Sequence, residues 1–157
     1  MRLRKAARKD LPGISELWWE MDSSHLRHDP EFYARKPREV CMKMARKYHR
    51  TFLTRAGKFL LVAEQSGEII GYLAAKIVPL PPVVKVKQAG LVDGICVRRD
   101  CRRMGVGKQL LRAALAEFRK RKIRRVRLMV ELENGPARKL YQTLAFRDRQ
   151  VVMIKNL

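Results

Sequence analysis

The sequence predicts an α/β (α+β) domain: a mixed central sheet of about six strands with helices on both faces. Three features carry this expectation. Residues 59–78 read as an antiparallel hairpin. Two strand–helix–strand crossings follow, and crossings of that kind place their strands in parallel. The first crossing runs through an 18-residue amphipathic segment, Gly105 to Lys122, with Val106, Leu110, Leu111, Ala114 and Phe118 as its apolar stripe. The expected order is β-α-α-β-β-β-α-β-α-β, within one domain spanning residues 1–157.

Residues 2–6 alternate weakly and read as a short edge strand. Asp10 is placed as an N-cap, with Pro12 in the first turn, where a missing N–H is harmless. Leu11, Ile14, Leu17 and Trp18 then recur at helical spacing to about Met21. Asp29-Pro30 breaks a loop over 22–36. A second helix is expected over 38–55, with Val40, Met44, Tyr48 and Phe52 or Thr51 on one face. Lys43, Arg46, Lys47 and Arg50 lie on its outer face. Gly57 ends it. The hairpin turns at Ser66-Gly67, and its return strand stops at Pro79-Leu80-Pro81-Pro82, since proline cannot serve a ladder. Residues 89–97 form an apolar strand. After the amphipathic helix come a strand at 124–131, a short helix at 134–144 and a closing strand at 146–154. There is no internal repeat and no low-complexity linker.

Lys and Arg total 36 against 15 Asp and Glu, a formal charge of +21. A field of that sign attracts polyanions, whether acidic proteins, nucleic acid or the ribosome, and its plainest reading is a solvated basic surface. With 46% hydrophobic and 32% charged residues the composition is globular, not disordered. Cys41, Cys96 and Cys101 are odd in number and lack neighbouring His, so neither a disulfide framework nor a metal site is expected. No apolar run approaches the roughly 20 residues of a membrane span. Met1-Arg2-Leu3-Arg4-Lys5 leads into no apolar signal core. A cytoplasmic monomer or homodimer, with no membrane contact, is the expectation.

The sharpest local signal is Arg102-Arg103-Met104-Gly105-Val106-Gly107-Lys108, between an apolar strand and a helix. Two glycines permit a tight turn and close approach of a ligand. The helix start supplies free N–H groups and a positive dipole end, together an anion cradle suited to a pyrophosphate. A Walker A loop fails here: Arg102 stands where its first Gly belongs, and Gln109 replaces its Ser/Thr. A dinucleotide fingerprint fails because its third Gly falls on Leu110.

Arg102, Gly105 and Gly107 match the Arg/Gln-x-x-Gly-x-Gly/Ala pattern of the GNAT acetyltransferases. Val92 to Val97 resembles that family's central strand. Asn134-Gly135-Pro136-Ala137-Arg138-Lys139-Leu140-Tyr141 resembles its second half-motif, and Ala145-Phe146 its closing Gly-Phe. His25 to Tyr33 and the 59–72 hairpin are similar to its N-terminal half. Ala145 departs from the pattern: in a left-handed conformation Ala costs roughly 1 kcal/mol over Gly.

The resemblance implies a GNAT fold and transfer of an acetyl group from acetyl-CoA to an amine, without a metal. In that reading the backbone of Ile95, Cys96 and Val97 receives the acetyl and pantetheine arm and polarises the carbonyl. Arg102, Arg103, Met104, Gly105, Val106, Gly107 and Lys108 take the pyrophosphate. Asn134 bonds the cofactor arm or orients its helix. Tyr141 is the general acid for the departing thiolate, set against a plain core role on its helix's apolar stripe. For a general base the sequence offers Asp93 or Glu131, with Glu133 and Glu64 more distant. A normal carboxylate needs a raised pKa or a water relay to deprotonate an ammonium. His25 and His28 fall in the expected acceptor-side loop or simply on the surface. The acceptor is a protein N-terminus, a lysine or a small amine, with free polyamines disfavoured by like charge. The competing function is a non-catalytic basic RNA- or ribosome-associated domain on the same scaffold.

Overall fold

A computed structural model describes residues 1–26, 30–31 and 33–155, with Ser24 and His25 described in backbone only. His28, with Arg27, Asp29 and Phe32, lies outside the described residues, as does the His25 side chain.

Strands β1 (Arg2–Lys5), β2 (Lys58–Gln65), β3 (Glu68–Pro79), β4 (Gln88–Val97) and β5 (Val126–Arg127) form one five-stranded sheet in sequence order. The first three pairings are antiparallel and β4–β5 is parallel. Helices α1 (Leu11–His25) and α2 (Arg38–Thr54) cover one face; α3 (Val106–Lys120) and α4 (Gly135–Gln142) cover the other. The expected mixed sheet between helical layers is therefore present.

The α3 stripe is buried as its spacing dictates: Val106, Leu110, Leu111, Ala114 and Phe118 all enter the core against Phe59, Leu61, Leu73 and Val92. Here β4 and the helix come unusually close. A Cβ at Gly90 would sit 2.6 Å from the Phe118 ring. That ring is fully buried and edge-packed on Phe59, with centroids 5.0 Å apart, so it cannot move aside. Gly90→Ala is expected to destabilise the fold by about 1–3 kcal/mol through overpacking. A lowered denaturant midpoint at unchanged slope would show it, and an unchanged midpoint would contradict it.

Several local expectations need correction. The Asp10 side chain is not spent on capping α1. A short 3-10 turn, Arg8–Asp10, precedes α1, and the buried carboxylate turns back to the Ala7 amide (2.7 Å) and the Arg4 guanidinium (2.6 and 2.9 Å). Arg4 also reaches Glu64 at 2.6 Å, tying β1, α1 and β2 together. Its hydrogen bond holds the Asp10 carboxyl below the usual range despite burial.

On α2 the buried residues are Cys41, Met42, Ala45, His49 and Phe52, while Val40, Met44 and Tyr48 are exposed. The buried row lies one residue further along than the apolar pattern indicated. His49 is tolerated inside because its Nδ1 meets the Ala45 carbonyl at 2.9 Å and its ring packs edge-on against Tyr72.

The last two strands also differ. Burial alternates along 126–130 as a strand should, with Val126, Leu128 and Val130 turned inward, yet only Val126–Arg127 pairs with β4. The closing strand expected at 146–154 is not formed among the described residues, and Val151 to Ile154 are exposed. Ala145 does adopt the left-handed conformation, with φ of 62°.

Candidate active site

β4 and β5 begin as a parallel pair at Gly90–Val126 and Leu91–Arg127, then part. The divergence has a local cause. The β3–β4 register slips between Ala74, opposite Gly94, and Ala75, opposite Val92, leaving Asp93 as the extra residue of a bulge. A bulge bends its strand and sharpens its twist. Beyond it, Asp93 to Val97 have no strand neighbour on the β5 side among the described residues. Main-chain groups of Ile95, Cys96 and Val97 thus lie along an edge that no β5 residue pairs among the described residues. The side chains of Ile95 and Val97 pack on the α3 layer and that of Cys96 on the α1 layer. Burial pushes the Cys96 thiol up to about 12, which removes it as a nucleophile.

At the end of β4 a 3-10 turn, Arg99–Cys101, anchors the loop through the buried Cys101. Arg103 (φ 64°) and Gly105 (φ 79°) are both left-handed, and Gly105 is the N-cap of α3. The first helical bond runs from the Gln109 amide to the Gly105 carbonyl at 3.0 Å. Among the described residues no oxygen accepts from the amides of residues 103–108. Consecutive bare N–H groups at a helix start, with its positive dipole end, suit a diphosphate. Arg103 and Met104 are exposed and Lys108 half-buried beside them, whereas Val106 is core. The Arg102 side chain is otherwise engaged: its Nε bonds the Val97 carbonyl (2.9 Å) and Nη2 bonds Glu20 of α1 (2.6 Å). It braces the loop against β4. A Cβ at Gly107 would lie 3.3 Å from Leu140 of α4 and 3.6 Å from Val97 of β4, so three elements converge there.

Of the two roles implied for Asn134, the geometry displays the helix-orienting one. Its Oδ1 accepts from the Ala137 amide at 3.2 Å as the α4 N-cap, with Pro136 in the first turn. One face of α4 then buries Tyr141, with its ring 6.1 Å from that of Phe146. The Tyr141 hydroxyl has no hydrogen-bond partner among the described residues, and burial alone pushes the phenol up to about 12. The phenol is therefore protonated throughout the physiological range.

The two candidate carboxylates have different company. Asp93 is paired with the Lys76 ammonium and accepts from the Tyr48 hydroxyl at 2.6 Å, while Lys76 also donates to Tyr48 at 3.3 Å. Burial opposes the Lys76 charge, but Asp93 more than offsets it and raises the ammonium above its ordinary value. Glu131 is half-buried just past β5 and accepts from the Tyr33 hydroxyl at 2.5 Å, so it links that side to the α1–α2 connection. Glu64 is tied to Arg4 on the far side of the sheet, and Glu133 is exposed. Tyr33, Tyr48 and Lys76 were not legible as site residues. Lys76 was the one with a signal, being the lone charge inside the apolar run of β3. Tyr72, fully buried between His49 and Cys96, carries a hydroxyl without a partner among the described residues.

Among the described residues no helix is long and apolar enough to cross a membrane, and no cluster of His, Cys, Asp and Glu is fit to hold a metal ion.

Comparison with known proteins gives the same architecture. An uncharacterized N-acetyltransferase of Methanocaldococcus jannaschii is 27% identical over 150 residues, covering 96% of this chain and 62% of its own length. An N-alpha-acetyltransferase of Sulfurisphaera tokodaii is 34% identical over 99 residues, 58% of each chain. The chain thus spans about 60% of the length of these curated relatives. The solved structure of a tetramutant of a Bacillus halodurans protein superposes with a TM-score of 0.88 at 19% identity, covering 100% of both chains. The profile of the acetyltransferase (GNAT) family matches residues 7–146. A β4 edge that β5 leaves after two pairs, followed by a loop whose amides meet no oxygen among the described residues, thus accompanies a sequence match over most of the chain, and the protein belongs to the acetyltransferase (GNAT) family.

Proposed function

We propose that this chain is an acetyl-CoA-dependent N-acetyltransferase that acetylates a primary amine by direct attack in a ternary complex. The observation that carries the reading is the run of unpaired amides at 103–108 beside the open edge of β4. When bound, the coenzyme supplies a thioester carbonyl as electrophile and a thiolate as leaving group. The amides of 103–108, aided by Arg103 and Lys108, hold its diphosphate. Main-chain groups of Ile95 to Val97 orient the acyl arm, and Tyr141 supplies the proton that the leaving sulfur needs.

Both oxygens of Asp93 already have partners, one in the Lys76 ammonium and one in the Tyr48 hydroxyl. In this reading Asp93 holds Lys76 and Tyr48 in place, and Glu131 takes the amine's proton through water. The acceptor best supported is a protein α-amino group. The S. tokodaii relative is named for that activity, and a +21 chain repels small polycations.

Calorimetric titration with acetyl-CoA, followed by thiol release measured over peptides with free N-termini, lysine peptides and small amines, tests the proposal. Micromolar binding with peptide-dependent thiol release supports it; no binding rejects it. Glu131→Gln is expected to lower kcat/KM about 100-fold, leaving acetyl-CoA affinity unchanged. An unaltered kcat/KM would take the base role from Glu131.

A further inference from the structure

We infer that the C-terminal end of α3, with the segment leading into β5, is a docking surface for single-stranded RNA, at the far end of α3 from the amide loop. Seven of the nine residues from Arg119 to Arg127 are Lys or Arg, and no acidic residue occurs between Glu117 and Glu131. Arg121 is paired with Glu117 at 2.8 Å. Arg119, Lys120, Lys122, Arg124, Arg125 and Arg127 are exposed, and among the described residues none has a carboxylate within ion-pair distance. The helix dipole accounts for Arg119 and Lys120 in the last turn. It does not account for Lys122 to Arg127, which lie past the helix end.

The basic face of α2 provides the contrast. Lys43, Arg46, Lys47 and Arg50 are also exposed and unpaired among the described residues, on the opposite face of the sheet. The α3 end adds something that a plain solvated face lacks. A groove of about 610 Å³ opens there, rimmed by Arg119, Lys122 and Arg124 and floored by apolar side chains that include Ile123, Val126 and Phe146. Guanidinium forks match phosphate oxygens in bidentate fashion. An apolar floor between them suits the face of an unpaired base, which a duplex keeps inside its stack. Unpaired bases are a standing feature of folded RNA, in loops, bulges and ends, so the surface is matched to RNA. α3 has 15 residues and so runs about 22 Å, which separates this groove from the amide loop at its other end. RNA is therefore expected to leave the grip on the coenzyme's diphosphate unchanged.

The test is fluorescence anisotropy of the full chain with a labelled 12-nucleotide single strand of RNA at several salt concentrations. With three to six phosphates neutralised, the affinity is expected to fall with a log–log slope of about −2 to −4. The double variant Arg124→Glu/Arg125→Glu is expected to weaken binding more than tenfold. Arg119→Glu/Lys122→Glu repeats the test on the other rim. The control Arg46→Glu/Lys47→Glu changes net charge equally and is expected to cost less than threefold. Unchanged acetyl-CoA affinity and thermal midpoint certify the fold of each. Duplex RNA of the same length and polyglutamate are expected to bind at least fivefold more weakly than the single strand. Absence of RNA binding, equal losses in the α3-end and α2 variants, or equal binding of duplex or polyglutamate would each overturn the inference.

Discussion

Tyr141→Phe is expected to lower kcat about 100-fold while acetyl-CoA affinity stays within about twofold, the signature of a lost general acid. The argument begins with burial. Tyr141 is 8% exposed, and desolvation pushes its phenol up to about 12. The sign follows directly: the neutral form is favoured, so the proton is in place at any working pH. The same burial makes the phenol a weaker acid in water's terms. Phe keeps the ring contact with Phe146 and the core volume. The hydroxyl it removes has no hydrogen-bond partner among the described residues, so the thermal midpoint should hold or rise. Turnover, calorimetric affinity and midpoint measured together separate the two roles. A purely packing tyrosine would leave kcat untouched, and that result would remove Tyr141 from the chemistry.

The parts of this molecule that were legible in its sequence are those decided within a few residues. The α3 stripe is helical spacing and nothing more, and all five of its named side chains are core. The loop is a left-handed Gly105 followed by a helix start, again a local matter. What failed depended on partners. The α2 face was misread because Val40, Met44 and Tyr48 outscore Cys41, Ala45 and His49 in hydrophobicity. The phenol of Tyr48 is used instead on Asp93, 45 residues away. Strand character at 124–131 was visible as alternation, but a ladder needs a neighbour, and the bulge at Asp93 turns β4 away after two pairs. Asp93 and Glu131 read alike in the sequence, because the partners the structure gives them, Lys76 and Tyr48 on one and Tyr33 on the other, come from elements distant in the chain.

Gly105→Val is expected to weaken acetyl-CoA about 5- to 30-fold and to leave S-acetylpantetheine, which lacks the diphosphate, unaffected as a donor. Gly105 has a φ of 79°, a conformation that costs an L-residue roughly 1–2 kcal/mol and that a β-branched side chain resists most. At 1.4 kcal/mol per tenfold, that strain corresponds to the stated range. The effect is conformational and not steric, since a Cβ there meets nothing nearer than Gln109 Nε2 at 4.0 Å. Cys101, Arg102 and the Gln109 amide hold the loop on either side of the strained stretch. Arg103, Met104 and Gly105 are exposed, and the amides of 103–108 are bonded to no oxygen among the described residues. Between those anchors the free loop therefore relaxes, and re-forming the cradle is charged to binding, where only a diphosphate feels it. Equal weakening of both donors would mean that the substitution damages the acyl end or the fold. Undiminished acetyl-CoA affinity would mean that these amides do not hold the coenzyme, and the proposed enzymatic reading would fall with them.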